Sequence, residues 1–248
     1  MLQVLQIAHK YCAHSIEARA HKVAQDLTLP HIIRTNLKPH LPAVQVVEIA
    51  SKVGCDDIAL VAWNVVIEDH RKGMTRSSDL LAVARCVDRR EIWGEAYYEV
   101  MLRGSEHWEN DPEITDEDRR ALSRGFTKCV EALELLASVW NSGNSTSGPE
   151  AGHSRRHTSS NGCAKPWFNR ALETHSLRQK SYCDILGLLE ILATNQDVPG
   201  SFSASACRID LQGYASAQYK SRPSWSDMAG CFTGTPPVWS WSPNAANT

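Results

Sequence analysis

The chain has 248 residues and a hydrophobic fraction of 42%, enough for one large or two small domains with a proper core, which excludes disorder throughout. A formal net charge of -2 and a pI of about 6.5 exclude a global basic field of the kind that holds nucleic acid or an anionic membrane surface. The eight cysteines form no CxxC pair, and Gln3, Gln6, His9 and Lys10 interrupt the apolar start, so neither an export signal nor a membrane span is read and the thiols are expected reduced, in the cytoplasm or nucleus.

Three segments near the start share one pattern. Ile7-Ala8 is followed by Ile16 and Ala20, Ile49-Ala50 by Ile58 and Ala62, and Val83-Ala84 by Ile92 and Ala96. In each, an apolar-Ala pair ends one helix, a polar corner follows, and Ile and Ala recur four apart on one face of the next. The spacing of the copies is that of a helix pair, and the small Ala allows close helix contact. Residues 1–105 therefore read as successive antiparallel helical hairpins, with Ala20, Ala62 and Ala96 buried at helix contacts. Asp56-Asp57 and Ser77-Ser78-Asp79 are start signals. Arg71-Lys72-Gly73 is a helix end, with basic residues at the negative pole and Gly for the left-handed cap. Pro30, Pro39 and Pro42 make 28–43 a loop.

The run from Glu106 to Asp118 is acidic. It lacks the alternating ligands and turn glycine of a calcium loop, so it reads as a solvated linker. Thr115 to Asp118 then form a capping box that opens a long helix. That helix carries Leu122, Phe126, Val130, Leu133, Ala137 and Trp140 at spacings of three and four, and this stripe is expected to face the core. Residues 115–222 are read as a C-terminal helical bundle containing a flexible Ser/Gly-rich loop, 142–162. A helix opens at Pro166-Trp167-Phe168, another covers Tyr182 to Ala193, and a last stretch covers Ala204 to Lys220. The tail, 223–248, is read as irregular. Trp63, Trp93, Trp140 and Trp167 are expected in the core, whereas Trp225, Trp239 and Trp241 lie where no core is read.

One constellation suggests chemistry. His153, His157 and Cys163 follow the spacing H-x3-H-x5-C, and Cys207 or Cys183 would supply a fourth ligand. Zinc takes four such ligands in a tetrahedron and can order a loop that has no core of its own. The bland reading is solvated histidines and a lone thiol. Cys163 just before a helix start, with His157 or His175 near in sequence, also has the makings of a nucleophile and base, but no orienting third group is identifiable. Phosphate-binding glycine loops, HExxH and GxSxG are absent from the sequence. A non-enzymatic role is therefore expected, without a cofactor beyond that candidate zinc.

Ile7-Ala8-His9-Lys10-Tyr11 followed by Ser15 to Ala20 resembles the closing helices of a BTB/POZ domain. Leu80 to Ala84 and Ile92 to Met101 are similar to the helical region that follows this fold in many basidiomycete fungal BTB proteins. Cys163-Ala164-Lys165-Pro166-Trp167, Cys207-Arg208 and Trp225 through Phe232 resemble that family's later motifs in the same order. The resemblance covers roughly residues 2–232. It implies a protein partner, with ubiquitin-ligase adaptor work as the usual role of BTB proteins. The mixed sheet of the BTB fold would precede Leu2, so cullin binding through the usual surface is not expected of this chain.

Overall fold

The computed structural model describes residues 43–87, 89–141, 184–194 and 222–234, with Ile7, Lys10, Ser15, Ile16, Ala18, Ala20, Lys22, Phe168, Asn169, 171–173, Ser216, Tyr219 and Lys220. Of these residues 83% are helical and none lies in a strand, so the described part is all-α. Its helices are α1 (Ala43–Lys52), α2 (Asp56–Arg71), α3 (Ser77–Cys86), α4 (Arg90–Leu102), α5 (Ser105–Glu109), α6 (Asp116–Asn141), α7 (Ile185–Thr194) and α8 (Trp225–Thr233). No described helix is long and apolar enough to cross a membrane. The chain divides into two compact units: Met1–Met101 with Ser105–Leu122, and Leu102–Gly104 with Ser123–Thr248.

In the first unit α1 packs on α2 and α3 touches both. The corner between α1 and α2 is closed by Gly54 at φ 71°. The Cys55 N–H donates to the Ala50 carbonyl at 2.8 Å and the Gly54 N–H to Ser51 at 3.3 Å, so the last carbonyls of α1 are satisfied by a left-handed turn that glycine adopts without strain. The same device ends α2 after Arg71 and Lys72. Gly73 sits at φ 77°, and Met74 N–H reaches the Asp69 carbonyl at 2.8 Å. Ala20, Ala62 and Ala96 are all buried. Their partners four residues earlier differ: Ile58 and Ile92 are buried, whereas Ile16 is 53% exposed. Helix α4 is enclosed on most sides, with Ile92, Gly94, Ala96 and Tyr97 to Met101 all buried.

The acidic stretch belongs to this first unit. Trp108, Ile114, Asp118 and Leu122 are buried, and the unit extends to Leu122, into the second turn of α6. The sequence reading ended it at residue 105. Apolar anchors at 108 and 114, set among carboxylates, are too widely spaced to register as a periodic pattern.

In the second unit α6 presents Gly125, Cys129, Ala132, Leu133 and Leu136 as its buried residues. This face is rotated from the stripe read in the sequence: Phe126 is 37% exposed and Val130 and Ala137 are half-buried. Leu133 and Leu136 join Phe168, Ala171 and the apolar side chains of α7 in one core cluster. Five α7 side chains, Ile185, Leu188, Leu189, Ile191 and Leu192, are buried, and at about 1.5–3 kcal/mol each they dominate this core. Asp184 starts α7, its Oδ1 accepting the Gly187 N–H at 2.9 Å.

The segment read as an irregular tail contains a regular helix, which corrects the bounds 223–248. Ser224 and Asp227 form a reciprocal capping box at the start of α8, and Gly234 ends it at φ 84°. Met228 to Phe232 are all buried. The Phe232 carbonyl accepts from Arg124 Nε at 3.1 Å, and its ring lies against Gly125. Among the described cysteines, Cys55, Cys129 and Cys231 are buried and Cys86 is exposed.

Candidate functional site

His153, His157, Cys163 and Cys207, the candidate zinc ligands, lie outside the described residues, as do Cys183 and His175. Among the described residues no group of three or more His, Cys, Asp or Glu is placed to hold a metal ion. The polar groups that the structure does bring together lie in the first unit, around α4.

Thr115 and Asp118 first satisfy the start of α6. The Asp118 N–H donates to Thr115 Oγ1 at 3.2 Å, and the Thr115 hydroxyl donates to Asp118 Oδ2 at 2.6 Å. The Thr115 N–H also points to Oδ2 at 3.3 Å, as a capping box requires. The same carboxylate is buried. It accepts the Tyr97 hydroxyl of α4 on Oδ1 and the Arg85 guanidinium of α3 on Oδ2. One side chain thus ties three helices together.

The electrostatics fix the protonation states of this knot. Burial works against the Asp118 charge, but the hydrogen bonds from Arg85, Thr115 and Tyr97 outweigh it and hold the carboxyl below its ordinary range. Burial pushes the Tyr97 phenol up, and Asp118 pushes it further. Burial also opposes the Arg85 cation, which Asp118 more than offsets. Near neutral pH the three groups are therefore a carboxylate, a phenol and a guanidinium. None is poised to move a proton, as a general acid or base must be.

Helices α2 and α4 are joined by a second set of contacts. Trp63 Nε1 donates to Glu95 Oε2 at 2.7 Å. One turn further along α4, Glu99 is buried and accepts Arg71 Nε at 3.0 Å, with a second contact from the same guanidinium. Burial raises the Glu95 carboxyl above its ordinary value, and the Trp63 hydrogen bond offsets this only in part. Trp93 stacks on Tyr97 with ring centroids 4.0 Å apart.

The acidic stretch is more engaged than a solvated linker would be. Glu113 accepts Arg76 at 2.8 Å and the Ser78 hydroxyl at 3.0 Å, and Asp111 Oδ1 accepts the Glu113 N–H at 2.9 Å. Arg89 is only half-exposed and stands 3.3 Å from Asp56.

In the sequence Asp118 was legible as a cap, but its ties to Arg85 and Tyr97 were not. They span 33 and 21 residues, and no local pattern encodes such pairings. A buried tyrosine on an enclosed helix was the available signal, since a buried phenol needs a partner. Comparison with known protein families, with curated proteins and with solved structures finds no match to this chain.

Proposed function

We propose that this chain is a non-enzymatic protein-interaction module of the cytoplasm or nucleus. In this reading it is the helical part of a BTB-type protein, built from successive antiparallel helical hairpins and a C-terminal helical bundle. The observation that carries the reading is the use made of the charged groups around α4. Asp118 and Glu99 each hold one helix to another, and the protonation states at Asp118 suit a permanent joint. A framework fixed in this way presents a defined outer surface, which is what a binding module needs.

The test is affinity capture of the full-length chain from a cell extract, followed by reconstitution with the purified candidate partner. A direct complex of fixed stoichiometry in analytical ultracentrifugation is the expected result. Recovery of no partner that binds directly, together with turnover of a small-molecule substrate, would overturn the reading. A structural zinc at His153, His157, Cys163 and Cys207 is compatible with the same role. It requires about one zinc per chain in metal analysis, lost in His153→Ala and Cys163→Ala.

A further inference from the structure

We draw no further inference here: the strongest candidate, the stripe of α6 on which Phe126 is 37% exposed and Val130, one turn on, is half-buried, is an apolar surface patch, and nothing in the structure shows what covers it.

Discussion

At Gly125 the missing side chain makes room for the Phe232 ring. A Cβ built there would stand 2.0 Å from the Phe232 ring, which is itself fully buried and cannot swing into solvent. In an open helix Gly→Ala stabilises by about 0.5–1 kcal/mol. Here the sign should reverse, and Gly125→Ala is expected to cost about 1–3 kcal/mol by overpacking, measured by denaturant unfolding. Phe232→Leu in that background should recover part of the loss. The same glycine explains why the stripe read in the sequence was rotated. Leu122 and Leu133 were placed correctly, but Phe126 was chosen for its size, whereas the inner position between them belongs to a residue with no side chain. Periodicity weighs apolar bulk, and a face built to receive a ring from another helix carries little of it.

At the scale of the element, α6 begins with a carboxylate that caps its own helix and anchors α3 and α4. Asp118→Asn should lose about 1.5–3 kcal/mol, the range for hydrogen bonds to a charged group, with Arg85 still partly in water. The pH dependence gives the test its sign. A carboxyl held below its unfolded value of 3.8 contributes fully above that value, and the contribution is lost as the pH falls through the depressed folded one. The difference between wild type and Asp118→Asn in thermal unfolding should therefore be constant near neutrality and shrink only in strong acid. The capping box from Thr115 to Asp118 could be read from four adjacent residues, as could the end of α2 at Arg71-Lys72-Gly73, because both are local chemistry. The start of α8 at Ser224 and Asp227 carries the same local signal, but surrounding Pro, Ser and Gly masked it. What α3 and α4 contribute to Asp118 depends on tertiary placement.

At the scale of the molecule, the chain holds two cores. All-α character was legible from the recurring Ile and Ala positions, and Ala62 and Ala96 sit at full burial where that recurrence puts them. The boundary was not legible, because it falls inside one uninterrupted helix. Composition shifts mark linkers, and α6 has none between Leu122 and Ser123. Local perturbations should accordingly stay within their own unit.

The buried thiols turn this division into something that can be timed. Cys86 is open to solvent, while Cys55 is shielded in the first unit and Cys129 and Cys231 in the second. A maleimide reagent should modify Cys86 at once and the other three only at the rate at which their surroundings open. Site-resolved mass spectrometry of the labelling then gives two separate clocks from native side chains. Asp118→Asn should quicken Cys55 alone, and Gly125→Ala should quicken Cys129 and Cys231 alone; one common acceleration would mean that the two cores open as a single cooperative body.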